Sequence, residues 1–105
     1  MKKYLQVITT VKSKSDAEKI ADILVEKKLS VCVQISGPIT SVYRWQGKVE
    51  KDTEWRCVIK TSEELYSVVE RTVKEIHGYE TPEIVALPIE HVSEKYLKWM
   101  EEGLM

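Results

Sequence analysis

At 105 residues, 43% hydrophobic and 31% charged, the chain is long enough for one compact core and too short for two, so residues 1–105 read as a single domain. Sixteen lysines and arginines nearly cancel seventeen aspartates and glutamates, and the lysines are scattered among glutamates, so nucleic acid is not an expected partner. The start, Met1-Lys2-Lys3-Tyr4-Leu5-Gln6, shows no long apolar segment and no small-residue cleavage site, so neither a membrane partner nor a signal peptide is expected. Cys32 and Cys57 lie in strand-like runs without Cys-x-x-Cys spacing and read as reduced, buried thiols of a cytoplasmic protein.

Tyr4 to Val11 is rich in β-branched and aromatic residues and predicts a strand, with Leu5, Val7 and Thr9 on one face and Tyr4, Gln6, Ile8 and Thr10 on the other. Ser15-Asp16-Ala17-Glu18 fits a capping box, and Ala17, Ile20, Ala21 and Leu24 recur at helical spacing, so an amphipathic helix is expected to about Lys28. Val31 to Ile35 is a second strand. Gly37-Pro38 interrupts it before a further extended run from Ile39 to Trp45, and because proline cannot donate to a ladder this strand should be an edge or carry a bulge.

Gln46-Gly47-Lys48 supplies a tight hairpin turn into a long strand from Val49 to Lys60. Thr61-Ser62-Glu63-Glu64 fits a second capping box, followed by Leu65, Val68, Val69, Val73 and Ile76 on the buried face of a helix that stops near His77 and Gly78. Glu83 to Glu90 suits a partly buried strand, and Ser93 caps a last short helix bearing Tyr96, Leu97 and Met100. The order is that of a ferredoxin-like α+β fold, βαββαβ plus a C-terminal helix, with a four-stranded antiparallel sheet and both main helices on one face. Ile8, Val31, Val33, Ile35, Tyr43, Trp45 and Trp55 put apolar groups on both alternations of the strands, so the second face is expected to pack on another copy of the chain.

The stretch His77-Gly78-Tyr79-Glu80-Thr81-Pro82-Glu83-Ile84 gathers an imidazole, a phenol and two carboxylates between a helix and a strand. Locally it reads either as a ligand-bearing loop or as a helix end at which His77 faces water beside the last carbonyls. His77 beside Glu80 or Glu83 could do acid–base work, but no serine or cysteine is visibly activated and no Gly-rich phosphate loop occurs, so no enzyme activity is expected. His91 reads as a solvated side chain, and Tyr96 and Trp99 as anchors of the last helix.

Several segments, in order, carry a resemblance. They are Lys28-Leu29-Ser30-Val31-Cys32-Val33, Ser41-Val42-Tyr43-Arg44-Trp45-Gln46-Gly47-Lys48-Val49, Ile59-Lys60-Thr61, His77 to Ile84, and Tyr96-Leu97-Lys98-Trp99. Taken together they make the chain resemble the CutA family of divalent-cation tolerance proteins along nearly its whole length. The resemblance implies a homotrimer joined through its sheets and similar to PII-type signalling trimers, acting in divalent-cation tolerance and the response to metal ions. It also implies binding of divalent cations, copper first, with Cys32, His77 and Glu80 as the matching ligands. Clefts between subunits would bring together Gln34, Tyr43, Trp45, Lys60 and Tyr79 beside His77 and Glu80, an aromatic-walled site for a small anionic or amphipathic ligand with Lys60 as its point charge. A trimer that bound nothing would instead be structural or scaffolding. The chain departs from the family pattern at Gly78, where proline is usual, and at Ser30, where alanine is frequent and a small residue is read as tolerated.

Overall fold

The computed structural model describes residues 2–105. Strand β1 (Tyr4–Val11) leads into helix α1 (Lys14–Glu26), followed by the long strands β2 (Cys32–Trp45) and β3 (Lys48–Ser62). Helix α2 (Tyr66–Ile76), strand β4 (Val85–Ile89) and helix α3 (Glu94–Gly103) complete the chain. The strands form one sheet in the order β2-β3-β1-β4, every neighbouring pair antiparallel, which is the split βαβ order expected from the sequence.

The helix starts are set by residues other than those the capping boxes suggested. Ser13 is the cap of α1, its hydroxyl accepting the Asp16 amide at 3.1 Å, and Ser15 already lies inside the helix. At the second start Ser62 accepts the Leu65 amide at 3.3 Å and opens a 3-10 turn over Glu63–Leu65, which runs on into α2. Thr61 is instead the end of a buried strand and donates its hydroxyl to the Leu29 carbonyl at 2.6 Å. Ser93 occupies the cap position of α3 without a side-chain capping bond.

The core lies on one face of the sheet. Val7, Val11, Cys57 and Ile59 pack there against Ala17, Ile20 and Leu24 of α1 and Val69 and Val73 of α2, all at most 2% exposed. Each such side chain contributes roughly 1.5–3 kcal/mol by leaving water. Of the apolar strand residues found on both alternations, Val33, Ile35 and Trp55 join this core and do not belong to the second face. The reason is parity: Val33 pairs with Ile59 and Ile35 with Cys57, whose neighbours on β1 are Val7 and Thr9.

The second face carries Gln6, Ile8 and Thr10 of β1 with Cys32 of β2 and Val58 and Lys60 of β3. Helix α3 covers one end of it, with Met100 fully buried and Tyr96 reached by the Lys60 ammonium at 3.2 Å. Trp99 stays 49% exposed and stacks on Tyr96 with ring centroids 5.3 Å apart, so of the two expected anchors Tyr96 makes the bond to the sheet.

Strand β2 is a sheet edge, and its register shifts between Ser36 and Ile39, where Gly37-Pro38 bulges out. Beyond the bulge β2 and β3 run on as a two-stranded arm, closed by Gln46 and Gly47 at φ +49° and +80°, the left-handed pair that a two-residue turn demands. The arm helps draw the molecule out to 45 Å, against 25 and 23 Å in the other directions.

Candidate functional site

Helix α2 ends where His77 turns extended, at φ −76° and ψ 141°. Its ring is then held from two sides. Nε2 lies 2.9 Å from the Thr10 carbonyl oxygen and 3.2 Å from Thr9 Oγ1, and the Tyr79 amide donates to Nδ1 at 3.1 Å. A carbonyl only accepts and an amide only donates, so Nε2 carries the proton and Nδ1 spends its lone pair on the backbone. Burial is the main cause lowering the His77 pKa below the usual histidine value, outweighing the Thr10 carbonyl and the more distant Asp16 and Glu54. The imidazole is therefore a neutral clasp between the 77–84 loop and the end of β1, and neither nitrogen is free for a metal.

Cys32 is far from that clasp. It pairs with Lys60, which pairs with Gln6, whereas His77 is bonded at Thr9 and Thr10, so the two are three to four residues apart along β1, roughly 10–13 Å. Cys32 shares the second face with Gln6, and the Thr9 side chain points to the core face, so the sheet itself lies between the thiol and the imidazole. Glu80 is exposed on the loop. The expected metal set of Cys32, His77 and Glu80 is therefore not assembled within one chain. Among the described residues no three His, Cys, Asp or Glu side chains stand close enough to hold a metal ion.

The loop does form a site with the hairpin arm. Between them lies a pocket of about 640 Å³, walled by Tyr43 and Trp45 on the arm and Tyr79 on the loop, floored by Thr10 and Glu54, and edged by Glu80 and Glu83. Glu54 sits one pairing step past the end of β1, since Val11 is opposite Trp55, so the loop can cross there and the Tyr79 hydroxyl donates to Glu54 Oε2 at 2.8 Å. Burial, and next that bond to an anionic acceptor, hold the Tyr79 phenol far above the ordinary tyrosine range. The Tyr43 hydroxyl donates to Asp52 Oδ2, and this bond chiefly pushes its pKa up to about 12.

Tyr43, Trp45, Tyr79 and Glu80 thus line one pocket within a single chain, where the resemblance implies a cleft between subunits, and within that chain Gln34 and Lys60 lie apart from it. Gln34 is exposed on β2 opposite Val58 and lines no pocket. Lys60 lines a separate hollow of about 230 Å³ with Gln6, His91, Ser93 and Tyr96, its ammonium 5.2 Å from the Tyr96 ring centroid. The aromatic pocket therefore has no cationic side chain in its lining, and a small anionic ligand held by Lys60 does not fit it.

Glu54 is a pocket residue that the sequence analysis did not single out. Alternation with Arg56 and Val58 puts it on the second face, but that it lies beyond the end of β1 is a fact of register. The departures from the family pattern are also clarified. At Gly78 an added Cβ would meet nothing within 4 Å, and the His77 ring is fixed by its own bonds whatever the glycine allows. Ser30 is more than a tolerated small residue: it is 1% exposed, and its hydroxyl lies 2.8 Å from the Lys60 carbonyl and 2.9 Å from that of Cys32.

Comparison with known proteins places this architecture. The family profile described as CutA1 divalent ion tolerance protein matches residues 5–103. The chain is 44% identical over 97 residues to the divalent-cation tolerance protein CutA of Thermus thermophilus, covering 92% of this chain and 94% of that protein. It is 41% identical over 97 residues to the chloroplastic protein CutA of Arabidopsis thaliana, of which it spans 53%. Among solved structures, the Thermus thermophilus divalent cation tolerance protein superposes with a TM-score of 0.94 at 41% identity, over 97% of this chain and 99% of that one. CutA1 from Oryza sativa superposes with a TM-score of 0.95 at 38% identity, over 98% and 94%.

Proposed function

The chain belongs to the CutA1 divalent ion tolerance family, and on that premise we propose that it acts in divalent-cation tolerance as a cytoplasmic homotrimer, with copper as its first cation and without catalysis. The observation that carries the assembly is the apolar surface one chain leaves in water. Val85 and Leu87 on β4 are 46% and 48% exposed, and Val42 and Val49 on the arm are 59% and 63% exposed. Such a surface on the second face and on a protruding edge hairpin is what a partner chain buries.

The copper reading follows from where the soft donors lie. His77 is engaged at both nitrogens, and Cys57 is buried with its thiol pushed up to about 11, so of the two thiols and His77 it is Cys32 that is left to bind. It sits on the sheet face that assembly would cover, and copies joined there would bring their Cys32 thiols toward one another. The cation is cargo of the trimer, held between chains. Both free cysteines favour the reducing cytoplasm.

Light scattering at micromolar concentration should give three times 12.2 kDa, about 37 kDa. Cupric ion titrated into the metal-free protein should bind wild type and His77→Ala alike and lose its tight site in Cys32→Ser. A monomeric mass defeats the assembly, and unchanged binding by Cys32→Ser defeats the copper site.

A further inference from the structure

Glu54 is 7% exposed and forms no ion pair among the described residues. Its hydrogen bond from the Tyr79 hydroxyl satisfies one carboxylate oxygen but leaves the charge uncompensated, and a buried charge is costly unless something opposite in sign faces it. The residue opens onto the pocket of about 640 Å³, a size suited to a small molecule. Tyr43 and Trp45 present their rings to that space while 40% and 46% exposed, unlike aromatic residues spent on a core. Glu80 and Glu83 add negative charge at its mouth.

These carboxylates are too dispersed to ligate one metal ion, since no three acidic, histidine or cysteine side chains meet among the described residues. A cation with diffuse charge and an apolar coat has different needs. It is attracted by ring faces without stripping tight ligands, and it requires one buried counter-charge.

We propose that the pocket between the 77–84 loop and the hairpin arm binds a small organic cation of the alkylammonium class, with Glu54 as counter-ion and Trp45 and Tyr43 as its aromatic walls. The residues that make the site all come from one chain.

Calorimetric titration of the protein with choline tests the proposal, its neutral carbon isostere serving as control. Choline binds, and the isostere, which keeps the shape and loses the charge, binds at least about ten-fold more weakly. Glu54→Gln weakens choline by about ten-fold or more. Trp45→Leu, at a half-exposed position where folding is not at stake, weakens it comparably, and Glu63→Gln, outside the pocket, leaves it unchanged. The proposal is overturned if choline does not bind, as when a lysine or arginine of a second copy already fills the pocket. It is equally overturned if the isostere binds as well as choline, or if Trp45→Leu and a folded Glu54→Gln both bind choline as wild type does.

Discussion

Replacing His77 by alanine removes the clasp between the 77–84 loop and β1, and its cost can be worked from the geometry. Two hydrogen bonds disappear, from Nε2–H to the Thr10 carbonyl at 2.9 Å and from the Tyr79 amide to Nδ1 at 3.1 Å. At about 1 kcal/mol net for each, the loss is about 2 kcal/mol at neutral pH. With a urea slope on the order of 1–2 kcal/mol per molar for a domain of this size, the midpoint falls by about 1–2 M at fixed protein concentration.

Acid should narrow the gap. Burial holds the folded-state pKa of His77 below its unfolded value of 6.5. Below that value the unfolded chain binds a proton that the native state does not. The contribution of His77 is therefore complete above about pH 6.5 and is lost as pH falls through the folded pKa, with a slope of at most about 1.4 kcal/mol per pH unit. Once protonated, Nδ1 would oppose the Tyr79 amide with a proton of its own. His91 is exposed and present in both proteins, so it cancels in the comparison. Urea midpoints of wild type and His77→Ala at about pH 7.5 and about pH 5 check this. A variant as stable as wild type at the higher pH, or a gap that widens on acidification, would refute the assignment of the ring as a neutral clasp.

Other expectations concern the core, the bulge and the thiols. Leu24→Ala, at a fully buried position of α1, should lower stability by about 2–5 kcal/mol in equilibrium unfolding. In Gly37→Ala the new methyl would stand 2.6 Å from Trp55 Cε3, so the packed indole must move, and thermal or urea unfolding should show a loss of about 1–3 kcal/mol. Gly47→Ala meets no neighbour and suffers only from φ +80°, so about 1 kcal/mol is expected, less than at Gly37. Because Cys57 is fully buried with its thiol pushed up to about 11, iodoacetamide at about pH 8 should leave it unmodified in the native protein and alkylate it in urea, read by peptide mass.

Much of the fold was legible locally because it is encoded locally. Period-two and helical spacing marked each strand and helix, Gly37-Pro38 announced the edge bulge, and Gln46-Gly47 the hairpin turn. The helix starts were displaced by one or two residues, since Ser13, Ser15, Thr61 and Ser62 all have capping chemistry and only the backbone path decides which hydroxyl meets a free amide. Motif order carried the family as well, because joint spacing along one chain survives without knowledge of contacts.

The site was less legible, and for a different reason. Cys32, Lys60 and His77 are suitable ligands by type, but which of them meet depends on strand pairing and on the side-chain parity that pairing imposes. The register Cys32–Lys60–Gln6 puts the thiol and the ammonium on the second face, while the bonds of His77 to Thr9 and Thr10 tie the imidazole into the opposite side of the sheet. The same register places Glu54 one residue past the end of β1 and lets Tyr79 reach it, creating the acidic aromatic pocket. By itself the sequence determined the elements, their order and the family, all of which depend on neighbours within a few residues or on spacing along the chain. Only the tertiary structure decided which face each side chain serves, because a shift of one residue in strand register would exchange the two faces without altering any local preference.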